Sequence, residues 1–132
     1  MNIAQRDVEG ITILDLDGRL VAGSDSSSLR ERVVELADRK RLNIILNLKR
    51  VEFIDSTGLG TMVMCFTGIQ KQGGALKLLN LSKRHIELLV LTKLTTIFEV
   101  FDDEQDAINS FFPDREVRHF DILNFVKSQE KP

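Results

Sequence analysis

The sequence predicts an α/β domain built on a mixed β-sheet, for three reasons. Short apolar, β-branched runs alternate with stretches of helical apolar spacing, in the order β-β-α-β-α-β-α-β-α. Strands separated by helices pair in parallel through right-handed crossovers. The first two strands are separated only by Glu9-Gly10, so they form an antiparallel hairpin at one side of the sheet. A chain of 132 residues suits one domain, and 42% hydrophobic content is enough for a core.

The elements follow in order. Ile3 to Val8 and Ile11 to Leu16 read as strands. In the second, Ile11 and Ile13 face one way and Thr12, Leu14 and Leu16 the other, which suits a strand inside the sheet. Gly18 and Gly23 bracket a short connection. Ser24, Asp25 and Ser26 are N-cap candidates for a helix to about Arg39, with Leu29, Val33, Leu36 and Ala37 on its apolar face. Asn43 to Leu48 reads as a buried strand. Leu59, Met62, Val63, Phe66 and Ile69 then recur at helical spacing, and Gly73-Gly74 ends that helix. Leu76 to Leu79 is a short strand, and Ser82 caps a helix containing Ile86, Leu89 and Val90. Ile97 to Phe101 is the last strand, and Asp102 with Gln105 resembles a capping box for a helix through Phe112.

Composition excludes several functions. The net charge is −2 with both signs well mixed, which argues against a direct nucleic-acid binder. Cys65 is the only cysteine, so neither an internal disulfide nor a cysteine-based zinc site is expected; its place in a helical pattern reads as a buried, inert thiol. Arg6, Asp7 and Glu9 are wrong for a secretory signal peptide. No apolar run approaches the ~20 residues of a membrane helix. The expectation is a cytoplasmic protein with no membrane contact. His85 and His119 form no ligand pattern and read as surface residues. Nucleophile elbow, phosphate loop and dinucleotide fingerprint are all missing, so the chain reads as no enzyme, with no cofactor and no metal.

One segment carries the functional signal: Val51-Glu52-Phe53-Ile54-Asp55-Ser56-Thr57-Gly58-Leu59-Gly60. It places two hydroxyls, Ser56 and Thr57, where a helix begins. The first N–H groups of a helix lack internal partners, and the helix dipole favours negative charge there. A hydroxyl in that place serves as an N-cap or as a phosphate acceptor. Asp55 next to it makes an added dianion electrostatically costly, which suits a switch better than an enzyme. Asp15, Asp17 and Asp55 also invite comparison with receiver domains that hold Mg²⁺ and phosphorylate a carboxylate. The opening hairpin is the wrong order for that fold, and Asp15 and Asp17 read as solvent-facing.

The ordered set of segments resembles the STAS domain family, specifically the bacterial anti-sigma factor antagonists, over about residues 3 to 112. Its parts are Gly18-Arg19-Leu20, Leu29-Arg30, Asn43 to Leu48, Phe53 to Gly60, Gly73 to Leu78 and Phe98-Glu99-Val100-Phe101. The resemblance implies a mixed sheet with helices packed mainly on one side. The expected division is a STAS domain over 1–112 and a C-terminal extension over 113–132, about which the resemblance says nothing. The resemblance also implies a transcription regulator that sequesters an anti-sigma serine kinase and is released when that kinase phosphorylates Ser56; a phosphatase reverses the step. Asp55, Thr57 and Gly58 would support the phosphosite, and the outer side of the following helix, with Thr61 and Met64, would meet the partner. Met64 fits the core equally well. The chain departs from many relatives at Val21, where an acidic residue is usual after the Gly-x-Leu. A rival expectation is a non-phosphorylated STAS scaffold subunit of a larger signalling or lipid-transport assembly. In the extension, Val117, Phe120, Leu123 and Val126 suggest a short amphipathic helix, docked on its own domain, paired with a second copy in a homodimer, or left disordered.

Overall fold

The computed structural model of the chain describes residues 1–122, 124 and 125. Strands β1 (Asn2–Val8) and β2 (Ile11–Leu20) form the hairpin. Both Glu9 and Gly10 take positive φ, +53° and +83°, as a two-residue turn between right-twisted strands requires. Then come α1 (Ser24–Asp38), β3 (Asn43–Ile54), α2 (Ser56–Lys71), β4 (Ala75–Leu79), α3 (Lys83–Leu91), a 3₁₀ turn over Leu94–Thr96, β5 (Val100–Phe101) and α4 (Glu104–Asn109). The sheet order is β1-β2-β3-β4-β5. The β1–β2 pair is antiparallel and every other pair parallel.

Apolar residues on both sides of β2 and β3 feed two clusters. One lies under α1, α2 and α3 and includes Leu14, Leu20, Leu46, Ile54, Leu29, Met62 and Leu89. The other, on the opposite face, joins Ile11, Ile13, Ile45, Leu79 and Phe101 to Ala107 and Ile108 of α4. Helices therefore pack mainly on one side, as the resemblance implied.

Several expectations need correction. Gly18 is not a connection but lies inside β2 with φ +125°, between two register shifts at Asp15/Asp17 and Gly18/Arg19. Such bulges let a strand continue past a residue that does not fit the regular ladder. β3 also runs on, to Ile54, so β2 and β3 pair right up to the segment with the hydroxyls. The α1 cap is Gly23, and none of Ser24, Asp25 and Ser26 caps through its side chain. Ser26 Oγ instead donates to Val21 O at 2.8 Å. β5 shrinks because the 3₁₀ turn draws in the residues ahead of it, with Phe98 N–H donating to Leu94 O. The α4 cap is Asp103 rather than Asp102, and α4 stops at Asn109. His85 is buried, not a surface residue, and neither ring nitrogen has a hydrogen-bond partner among the described residues.

The tail docks on its own domain by a route the pattern did not predict. Val117 packs on the α4-side cluster, while Phe120 and Ile122 pack on the other. The chain thus passes around the β5 edge, where Phe120 N–H donates to Val100 O at 3.4 Å. Residues 117 to 121 are not helical; the described helical positions are 122, 124 and 125. Leu123 and Val126 lie outside the described residues.

Candidate functional site

The hydroxyl pair sits at the corner where β3 hands over to α2. Asp55 is extended and caps α2, its Oδ1 accepting from Gly58 N–H at 2.7 Å. Its Oδ2 accepts from Ala22 N–H at 3.0 Å, in the β2–α1 connection. Asp55 N–H in turn donates to Leu20 O at 3.2 Å. One residue therefore ties together segments more than thirty positions apart. Hydrogen bonds from Gly58 and then Ala22 hold the Asp55 carboxyl below the usual carboxylate range, and the positive charge of Arg19 adds to this.

Ser56 is the first helical residue, exposed, one step past the cap. Because Asp55 performs the capping, Ser56 Oγ makes no hydrogen bond among the described residues. Thr57 is exposed too, and its carbonyl accepts from Thr61 Oγ1 at 3.0 Å. Gly58 is buried against β2: a Cβ there would stand 2.1 Å from Leu20 O. Only glycine allows this approach. Gly60, by contrast, has open space where a Cβ would go, so the two glycines are not equivalent.

On the rest of α2 the expected partner residues separate. Met64 is 58% exposed, which places it outside the core. Thr61 is only 8% exposed, so it is not part of the outer surface as expected. Its hydroxyl closes on its own helix instead. Cys65 is buried, and burial pushes its thiol up to about 11, as expected of an inert cysteine.

The acidic trio does not assemble. Asp15 is half-buried rather than solvent-facing, because Arg6 grips it through Nε at 2.6 Å and Nη2 at 2.9 Å, and Asn47 Nδ2 adds a third bond at 2.7 Å. Arg6 also reaches Glu104 of α4 at 2.6 Å. These bonds hold the Asp15 carboxyl low, Arg6 first and Asn47 second. Asp17 is exposed. Among the described residues no three His, Cys, Asp or Glu side chains gather to hold a metal ion. Asp15 thus bolts β1, β2 and β3 together, with Arg6 extending the tie to α4, while Asp55 bolts the site.

Sequence reasoning passed over one neighbour of the site. Arg19 pairs in register with Phe53, and its guanidinium lies over that ring, 5.5 Å from the centroid. Both residues occur in the segments that carry the family resemblance, but nothing local in either one indicates that they meet. No base accepts a proton from Ser56 among the described residues. The corner therefore presents an exposed hydroxyl on the first turn of α2.

Comparison with known proteins agrees with this architecture. A family model, the STAS domain, matches residues 2–107. The anti-sigma-B factor antagonist of Bacillus subtilis is 46% identical over 72 residues, covering 54% of this chain and 65% of that protein, a little under two thirds of its length. A Thermotoga maritima protein assigned as an anti-sigma factor antagonist superposes with a TM-score of 0.77 at 25% identity, over 82% of this chain and 92% of that one. The Bacillus cell fate determinant SpoIIAA in its phosphorylated form gives a TM-score of 0.67 at 20% identity, over 83% and 99% of the two chains, a likeness of fold. No described helix is long and apolar enough to cross a membrane. With its sheet order, its Asp55-capped α2 and a family model spanning most of its length, the chain belongs to the STAS domain family.

Proposed function

We propose that this protein is an anti-sigma factor antagonist, a binding module that sequesters an anti-sigma serine kinase until that kinase phosphorylates Ser56. One observation carries the reading. Asp55 engages both carboxylate oxygens with backbone N–H groups, which leaves the neighbouring Ser56 hydroxyl exposed on the first turn of α2 and without a hydrogen bond among the described residues. The name borne by the Bacillus subtilis relative supports it. A phosphate brings about −1.5 to −2 charges at neutral pH. Set beside the ionised Asp55, it would turn a modestly charged corner strongly anionic without disturbing the fold, since a helix N-terminus tolerates negative charge. A partner seated over Ser56, Thr57 and the outer side of α2 at Met64 would meet that charge directly. Thr61 would act beneath this surface, and Gly58 would keep α2 close to β2. A phosphatase would restore binding.

On this reading residues 1–112 form the working domain and 113–132 an extension. The protein acts in the cytoplasm as a binding partner rather than a catalyst, with no direct contact to nucleic acid or membrane.

The test uses the kinase and ATP. The chain gains one phosphate, and Ser56→Ala abolishes it while still binding the kinase. Ser56→Asp weakens kinase binding by about tenfold, equivalent to roughly 1.4 kcal/mol. Phosphate mapped to Thr57, or persisting in Ser56→Ala, removes Ser56 from the mechanism. Calorimetric titration showing equal affinity for Ser56→Asp and the unsubstituted chain argues against charge as its cause.

A further inference from the structure

We propose that Arg19 is the internal counter-ion for a phosphate on Ser56, and that it leaves the ring of Phe53 when that phosphate arrives. The inference rests on the reading of Ser56 as a phosphate acceptor and adds what the molecule itself does in response.

An anion at a helix start is ordinarily held by the unpaired N–H groups of the first turn. Here Asp55 already takes up part of that set and of its surroundings. Gly58 N–H is bound to Asp55 Oδ1, Leu59 N–H to Asp55 O, and the nearby Ala22 N–H to Asp55 Oδ2. A phosphate on Ser56 would also sit beside the Asp55 carboxylate, so it needs a cation. Arg19 is the basic residue whose charge acts on Asp55. It stands at the end of β2, in register with Phe53, two positions before Asp55. Among the described residues Arg19 has no carboxylate partner within ion-pair distance, and its guanidinium rests over the Phe53 ring at 5.5 Å.

The two contacts are unequal. A cation over an exposed aromatic ring is weakly held. A guanidinium facing a phosphate makes paired, charge-assisted hydrogen bonds that are markedly stronger. Arg19 therefore transfers to the phosphate. Phe53, already 38% exposed, then loses the group that covers its face. Phosphorylation thus changes the corner twice, adding an anion at Ser56 and uncovering an aromatic ring across the β2–β3 pair. The bland alternative is that Arg19 only shields Phe53 from water and never senses Ser56.

The test needs no kinase. Phosphoserine is encoded at position 56 of the full chain and titrated by phosphorus NMR. A nearby cation favours the phosphate dianion, so Arg19→Gln raises the second pKa by about half a unit or more. Arg19→Lys, which keeps the charge, recovers most of that shift. Phe53 ring resonances move on phosphorylation in the chain with Arg19 and stay in place with Arg19→Gln. The same second pKa in both chains overturns the proposal. Failure of a kinase to modify Ser56 is a separate outcome: it sinks the functional reading and leaves the NMR comparison of the encoded phosphoserine unchanged.

Discussion

Helices α2 and α3 both start at the end of a parallel strand, and each is capped by a side chain that accepts from the third helical N–H. At α3 the cap is Ser82, whose Oγ accepts from His85 N–H at 3.2 Å. At α2 the cap is Asp55, and the serine comes one residue later. A serine that caps has its hydroxyl engaged; a serine behind an aspartate cap has its hydroxyl free. The third residues differ as well. At α2 it is Gly58, whose backbone touches Leu20 of β2, whereas at α3 it is His85, whose ring is buried with no hydrogen-bond partner among the described residues. Two helix starts with the same backbone bond thus serve different ends, one for presentation and one for packing.

The largest expected effect falls on the α2 start. In Gly58→Ala the new Cβ meets Leu20 O at 2.1 Å and Leu20 C at 2.8 Å, backbone atoms that cannot rotate away. Overpacking of this kind costs about 3 kcal/mol, read by urea denaturation. A loss below about 1 kcal/mol would mean that α2 can lift from β2 freely and that the close approach is not required. Ser82→Ala comes next, at about 1 kcal/mol for a lost N-cap. A change near zero would show that the Ser82 bond is not what starts α3.

Acid separates the two starts. Burial, and secondly the charge of Arg84, hold His85 below its ordinary value of 6.5. The unfolded chain then binds that proton more readily, so stability rises with pH through this window. The His85 contribution is complete above 6.5 and is lost as pH falls through the lower folded value. Asp55 behaves likewise lower down: its contribution is present above 3.8 and is lost as pH falls through its depressed value. Denaturation midpoints measured from neutral to acid pH should decline first in the histidine window, and His85→Leu should remove that first decline. A first decline that survives the substitution assigns it elsewhere.

The smallest effect is expected at Ser56. Ser56→Ala stays within about 0.5 kcal/mol of the unsubstituted chain, because its hydroxyl holds nothing among the described residues. A loss as large as that of Ser82→Ala would erase the distinction between the two serines and weaken the case for a presented hydroxyl.

Much of the site is legible in the sequence, and for local reasons. Asp55, Ser56 and Gly58 lie within four residues of one another, and capping is a bond between near neighbours, so the segment itself announces a helix start. The segment does not say which residue caps. Ser24, Asp25 and Ser26 look like better caps than Gly23, yet α1 begins at the glycine while Ser26 bonds Val21. Thr61 and Met64, three residues apart on one helix, look alike as surface candidates. Their separation depends on what lies beside α2, which the helix pattern does not contain.

By itself, the sequence determined the order of elements, the two-sided apolar character of β2 and β3, and the position of the hydroxyl pair at a helix start. These follow from side-chain periodicity and turn chemistry, which act over a few residues. Only the tertiary structure decided the rest. It set the second bond of Asp55 to Ala22, thirty-three positions away, and the contact that reserves position 58 for glycine. It also set the stacking of Arg19 on Phe53, the burial of His85, and the path of the tail around β5. Each of these depends on strand register and on which faces meet, and register is settled by the packing of the whole core rather than by any segment within it.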